Sequence, residues 1–293
     1  RDPGHKPEVI VALSEQFHAL CGFRPLAATR RLLRGLQTPT DAAARAVAML
    51  LELLGAGAGT DADTDTEAEA DADAAAIGRT VRWLLAEAPP EVIAGIEVAI
   101  EASVGAARAG EFGAELENAR QLSAVYSGDP GVAVALLMNF VVLGAGEALW
   151  LPAGNMHAYM SGLGVELMAA SDNVLRGGLT PKHIDVDELL HVLDTHALVQ
   201  PRLLPTPGTH PEIDHFAPGI RDFELVRVRA GAAQVPVTLR GTALALATEG
   251  VLAVEAGDGT VARLRAGEAL LITSETLVHV SGPGELFVAH AGA

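Results

Sequence analysis

"AGEALWLPAGNMHAYMSG" occupies residues 145–162, and "AGEALLITSETLVHVSG" occupies residues 266–282. The first contains the pattern Gly146-x5-Pro152-x-Gly154-x2-His157. The second keeps Gly267 and a histidine, His279, but Thr273 stands where the proline was and the histidine falls one residue late. A sentence written twice predicts two related β units. In the first, Gly146 permits a hairpin turn, and Pro152 with Gly154 shapes a tight turn at a strand end. His157 can then point inward, where neutral imidazole is a good metal ligand. Nothing near His279 supplies further ligands, so it reads as a packed histidine.

Working outward, "VIVALSEQFHALCGF" (9–23) mixes β-branched and small apolar residues and predicts one or two short strands. From Leu26 to about Val125 apolar residues recur at three- and four-residue spacings, the helical period, with starts at Asp41 and Pro90–Glu91. "GAGAGTDADTDTEAEADADAAA" (55–76) lacks large apolar side chains and is dense in carboxylates, so it is expected to stay disordered. Its alternation lacks the glycine and closing glutamate of a calcium loop. After "SGDPG" (127–131) the pattern turns to short, turn-punctuated strands: "VAVALLMNFVVL", "EALWLPA", "HAYMSG" and "GVELMAA". "DVDELLHVLDTH" (185–196) reads as a short helix. From Phe223 to the end, strands recur every eight to twelve residues, the spacing of an antiparallel sandwich or barrel.

The bulk properties narrow the function. The formal charge of −17 over 293 residues argues against general nucleic-acid binding, which needs a basic surface. One cysteine, Cys21, excludes an internal disulfide and fits a reducing compartment. The longest apolar run, Val132 to Leu143, is too short to span a bilayer, and no signal-peptide pattern is present. A cytoplasmic protein without nucleic-acid or membrane partners is expected. The chain starts at Arg1 rather than methionine and reaches "GHKPE" almost at once, so it is expected to begin partway into a domain.

The glycine–proline–histidine pattern resembles the second motif of the cupin barrels, with Ser161 where that motif usually has Asn. Around it, "HAYMSGLGVELMAASDNVLRGGLTPK" (157–182) is similar to the signature segment of type I phosphomannose isomerases. "GHKPE" (4–8), "LCGFRP" (20–25), a helical insertion, "GDPG" ahead of a strand and "IDVDELL" follow that family's order. The resemblance covers roughly residues 1–200; beyond them the agreement is in type only. It implies a mainly β fold with an inserted α-helical domain and two cupin-type (jelly-roll) β-barrels. Residues 1–25 with 127–200 would form the catalytic barrel, lacking its N-terminal strands. Residues 26–126 would form the helical domain, 201–222 a connector, and 223–293 a C-terminal cupin-like barrel.

The same resemblance implies interconversion of mannose 6-phosphate and fructose 6-phosphate through an enediol, one Zn²⁺ per active site, and a monomer or weak dimer. The family's zinc site resembles Gln, His, Glu and His; Glu8 and His157 match the last two. The first pair would lie upstream of "HKPE", which leaves this chain expected to be inactive as it stands. "QFH" (Gln16 and His18) imitates the missing spacing but falls after Glu8, in a stretch read as packed strand and loop. His5 and Lys6 are the base candidates, presented by Pro7 beside Glu8, and Asp172 is a proton carrier or substrate-orienting group. Arg176 is assigned to substrate positioning or catalysis, since guanidinium suits bidentate phosphate contact. Lys182, Tyr159 and Glu166 are substrate-binding candidates, and Arg24 a structural brace. Two other readings stand beside this one: a non-catalytic sugar-phosphate-binding cupin, and a cupin metal oxidoreductase.

Overall fold

The computed structural model describes residues 4–55, 66–107, 110–199 and 202–292. Two strands open it, β1 (Glu8–Ala12) and β2 (Phe17–Phe23). Helices α1 (Leu26–Arg34), α2 (Asp41–Leu53), α3 (Glu67–Ala86), α4 (Pro90–Ala107), α5 (Gly113–Val125) and α6 (Gly131–Ala135) follow as one inserted block. The chain then returns to the β layer with β3 (Met138–Leu143), β4 (Ala148–Leu151), β5 (His157–Ser161) and β6 (Gly164–Met168). The insertion packs around its own apolar core, which includes Leu32, Leu50, Ile77, Ile96 and Leu116. Arg24 braces the junction: its buried guanidinium donates to the Leu136 carbonyl at 3.2 Å and the Met138 carbonyl at 2.7 Å.

Two expectations about this half are corrected. Residues 56–65 of the expected disordered segment lie outside the described residues, but Glu67–Ala76 form the first half of α3. Thr66 caps that helix, its hydroxyl accepting from the Glu69 amide at 3.3 Å and donating to the Glu69 carboxylate at 2.7 Å. Carboxylates in a first helical turn are stabilised by the helix dipole, so acidic composition here marks a helix start. "VAVALLMNFVVL" is not one strand either. Its first residues close the helical block as α6, and only Met138–Leu143 enter a sheet.

Sheet order β6-β1-β4-β7, with β7 spanning Arg202–Leu203, faces a second sheet of order β3-β2-β5. Between them lie Ile10, Ala12, Phe17, Ala19, Cys21, Leu143, Leu149 and Leu151, the filling of the first barrel. Alternation sends Val9 and Val11 to the opposite face of β1. There they meet Phe216, Phe223, Leu225 and Phe287 from the C-terminal half. Every residue of β1 is therefore buried.

After α7 (Val186–Val192) and β7, the C-terminal half contains β8 (Thr206–Pro207), β9 (Ile213–Phe216), β10 (Glu224–Ala230), β11 (Val235–Thr238) and β12 (Ala243–Glu255). It finishes with β13 (Val261–Arg265), β14 (Ala269–Ile272), β15 (Leu277–Ser281) and β16 (Gly284–His290). These strands run in the order β11-β15-β12-β16-β10-β9-β8, with β13 and β14 also pairing β12. Residues 243–255 form one long strand, β12, rather than two of the shorter strands that the spacing of eight to twelve residues predicts. It shifts register between Ala247 and Glu249 and serves different partners along its length. The molecule is thus mainly β, with a helical insertion and two curled β units. No helix among the described residues is long and apolar enough to cross a membrane.

The two copies of the opening sentence make the same turn. Gly146 and Gly267 both adopt positive φ, 84° and 87°, and the following glutamate amides close tight turns onto Gly144 and Arg265. They diverge at the next turn. Gly154 takes φ 83° in the first copy, whereas Ser274 takes φ 65° in the second. The extra residue before His279 reverses the face it occupies. Val278 and Val280, its neighbours on β15, fill the C-terminal core, so His279 faces away from that barrel.

Candidate active site

Glu8 is the first residue of β1, and Ile10 pairs with Glu166 of β6, which sets both carboxylates on the barrel's inner face. His157 opens β5 on the facing sheet, opposite Cys21. The two sheets bring its Nε2 to 3.3 Å from Glu8 Oε2. One donor atom each from Glu8, His157 and Glu166 can be chosen so that all lie within 4.8 Å of one another. Among the described residues this is the one group of histidine, cysteine and acidic side chains with that geometry. Sequence reasoning placed Glu166 with the substrate rather than beside the ligands. Only the β1–β6 register joins them, and no spacing within either segment reports it.

The local structure orients the imidazole. Its Nδ1 lies 3.1 Å from the Asn155 carbonyl, a contact that fixes the ring with Nε2 turned toward Glu8, the nitrogen that a bound cation would take. Gly154 makes the turn feasible, because a Cβ there would sit 2.8 Å from the Val192 carbonyl oxygen at the end of α7. Behind the histidine, the Cys21 thiol contacts Asn155 Oδ1 at 3.9 Å. Burial pushes that thiol up to about 12, so it stays neutral and inert.

The electrostatics separate the three groups. Burial alone raises the Glu8 carboxyl, but the His157 hydrogen bond and charge outweigh it and hold Glu8 below its ordinary value. Burial likewise disfavours charged His157, yet its contact with Glu8 leaves it above the usual imidazole value. Glu166 moves up, through burial and the adjacent Glu8 charge, although Tyr159 donates to its Oε1 at 2.7 Å. Two carboxylates sharing one site cannot both ionise freely. Glu8 takes the negative charge and Glu166 retains the proton more readily. Tyr159 is pushed far above its ordinary value, first by burial and then by Glu166.

A cavity of about 370 Å³ opens beside this cluster. Of the sequence-predicted residues, His5, Lys6, Glu8, His157 and Arg176 line it. Leu189, Val192 and Leu193, from α7 and the residue after it, form an apolar wall that the sequence did not single out. Lys6 is half-buried and donates from Nζ to the Ser171 carbonyl at 3.0 Å. His5 is more exposed and turns toward the C-terminal half, its Nε2 2.8 Å from Asp222 Oδ1. Among the described residues no hydrogen bond or ion pair engages the Arg176 guanidinium, which is exposed at the cavity wall. Tyr159 and Glu166 reach the metal-type cluster rather than the cavity lining. Asp172 and Lys182 are exposed on the same loop as Arg176 and are not lining residues; the Lys182 amide is capped by the Thr180 hydroxyl at 3.2 Å. Gln16 and His18 are absent from the cluster: Gln16 is exposed and His18 packs edge-on against Phe140.

The donor set fits a divalent ion of the zinc class. A neutral imidazole nitrogen and carboxylate oxygens are its ordinary ligands, and here they converge in a pocket with an oriented histidine and an open side.

No family model matches the chain. Mannose-6-phosphate isomerase 1 of Arabidopsis thaliana is 30% identical over 298 residues, a match covering 100% of this chain and 65% of that protein. Mannose-6-phosphate isomerase of Escherichia coli strain K12 is 30% identical over 288 residues, covering 98% of this chain and 66% of that protein. The chain therefore spans about two thirds of the length of the curated relatives it matches. Among solved structures, a variant of phosphomannose isomerase from Salmonella typhimurium superposes with a TM-score of 0.81 at 27% identity, covering 100% of this chain and 68% of that one. A mannose 6-phosphate isomerase bound with zinc and yttrium superposes with a TM-score of 0.79, also at 27% identity, over 100% of this chain and 68% of that one.

Proposed function

From its similarity over its whole length to mannose-6-phosphate isomerases, we propose that the chain is a member of that family and interconverts mannose 6-phosphate and fructose 6-phosphate in the cavity beside Glu8, His157 and Glu166. The observation that carries this reading is the convergence of Glu8 and His157, from segments divided by the whole helical insertion, at 3.3 Å. The reaction removes a proton from the carbon next to a carbonyl and returns it to the neighbouring carbon. Glu8 and His157 would hold Zn²⁺ with Glu166 within reach as a third donor, and on that third donor the proposal departs from the inactivity expected without the upstream pair. Bound there, the ion acts as a Lewis acid that offsets charge developing on the sugar oxygens.

The protein's own groups supply the rest. Lys6 is better placed than His5 to move the proton. Its Nζ is held by the Ser171 carbonyl at the start of the loop that carries Arg176, whereas His5 is drawn to Asp222 of the C-terminal half. Glu166, held in place by the Tyr159 hydroxyl, stands beside Glu8 and His157 at the edge of the cavity rather than on the proton-transfer path. Arg176, without a partner among the described residues, takes the anionic substrate through charge-assisted hydrogen bonds. The apolar wall from α7 limits water around the enediol. Asp172 and Lys182, exposed on the same loop, act at the cavity mouth. In line with the net charge of −17, no nucleic-acid partner is proposed, and the protein is proposed to work in the cytoplasm as a monomer or weak dimer.

The test follows fructose 6-phosphate formation from mannose 6-phosphate in the presence of Zn²⁺, in D₂O. Turnover that a chelator abolishes and Zn²⁺ restores, with solvent deuterium appearing in the sugar, is the expected result. Binding of fructose 6-phosphate without turnover would instead make this a sugar-phosphate-binding protein. Oxygen uptake dependent on iron would make it an oxidoreductase.

A further inference from the structure

The "GDPG" motif at 128–131 has no place in the chemistry above, yet its aspartate bonds to the loop that carries Arg176. Asp129 Oδ1 accepts two backbone amides, Gly131 at 2.7 Å and Leu179 at 3.1 Å. The first is a local turn at the end of the helical insertion. The second crosses fifty residues to the irregular loop that carries Arg176. The two backbones are pressed together at that point. A Cβ on Gly178, which adopts φ 118°, would lie 2.6 Å from Gly131 Cα, and one on Gly131 would lie 2.7 Å from the Leu179 nitrogen. Leu179 itself is held at φ 54°, a conformation costly for a non-glycine residue unless its surroundings impose it. Those surroundings are the Asp129 carboxylate on its amide and the helical core against its side chain.

Between this anchor and the Arg176 guanidinium there is little slack. A side chain on Gly177 would meet Met156 Cε at 2.7 Å, so the loop is also seated against the turn that carries His157. Arg176 has no partner of its own among the described residues, and its position must come from the backbone that bears it.

From these contacts we infer that Asp129 is a positioning residue: it fastens the 173–182 loop to the helical insertion and thereby sets Arg176 toward the phosphorylated substrate. The inference rests on the isomerase reading for its substrate, but the anchor and the reaction are measured separately. Zinc-loaded wild type, Asp129→Ala, Asp129→Asn and Arg176→Ala are compared by amide hydrogen exchange at Leu179, by calorimetric binding of fructose 6-phosphate, by Zn²⁺ affinity and by isomerase kinetics. Asp129→Ala is expected to speed Leu179 exchange and to weaken fructose 6-phosphate binding as Arg176→Ala does, with Zn²⁺ affinity unchanged. A loss of about 100-fold in kcat/KM is the scale for a displaced substrate-positioning group. Asp129→Asn, whose amide oxygen still accepts both amides, should recover most of each loss, which a general destabilisation would not. Unchanged Leu179 exchange, or full fructose 6-phosphate affinity in Asp129→Ala when Arg176→Ala has lost it, overturns the inference. Wild-type binding without turnover removes the isomerase reading and leaves the anchor to be decided by exchange and affinity.

Discussion

At the scale of single residues, the site depends on atoms that a conservative change can isolate. His157→Ala removes a donor outright, and its Zn²⁺ affinity should fall by more than the roughly 10–100-fold typical of losing an outer-shell partner; a competition titration with a metal indicator measures it. Arg176→Ala should cut turnover far more than it weakens Zn²⁺, and equal losses in both would refute its assignment. Gly22 offers a test of backbone rather than chemistry. It bulges β2 at φ 61°, where a Cβ would meet Leu198 Cβ at 2.7 Å and Asn155 Nδ2 at 3.1 Å. Gly22→Ala should therefore lose about 1–3 kcal/mol in a denaturant titration. Glu8 and His157 were legible in the sequence because each sits in a short, characteristic motif. Glu166 in its true company was not, since its neighbours are chosen by strand pairing across some 160 residues.

At the scale of elements, periodicity located most strands and helices but not α6, nor β7, β8 and β9, which turn the expected connector into edge strands of both β units, and composition misled at the acidic run. The acidic run before Ile77 carries the signature of a helix start, Thr66-x-x-Glu69, which outweighs its lack of large apolar residues. That helix matters to the cavity. Arg82 of α3 pairs with Asp187 of α7 at 2.6 Å, and the Thr195 hydroxyl donates to the Ala74 carbonyl at 2.9 Å. His196 adds a clasp, bonding Asp71 of α3 through Nε2 at 3.1 Å and Asp194 through Nδ1 at 2.7 Å. The bonds to Asp71 and Asp194 raise the His196 imidazole above its ordinary 6.5. The clasp therefore contributes fully below pH 6.5 and loosens as pH rises through the raised value. An NMR titration should show His196 titrating above 6.5, and Asp71→Asn should lower that midpoint. All three groups are largely exposed, so the effect on overall stability should be small.

At the scale of the whole molecule, the two β units are joined through the outer face of the β6-β1-β4-β7 sheet. Phe216 is 0% exposed and Phe287 1% exposed in that seam. Phe287→Ala should cost about 3–5 kcal/mol, read as a lowered midpoint in guanidinium unfolding. The repeated sentence announced two such units, but which faces they would press together could not be read from it. Strand β1 is apolar on both sides apart from Glu8, and alternation is silent where both faces are buried.

That double burial makes β1 its own proofreader. A slip of one position along its neighbours would exchange Glu8 with Val9 across the party wall. It would strand an ionised carboxylate in a phenylalanine-lined joint and leave a hydrocarbon where His157 awaits an anion. Both errors come from the same move, so misalignment is penalised in two compartments at once. The alignment that brings Glu8 to His157 is also the one that lets the halves of the chain adhere.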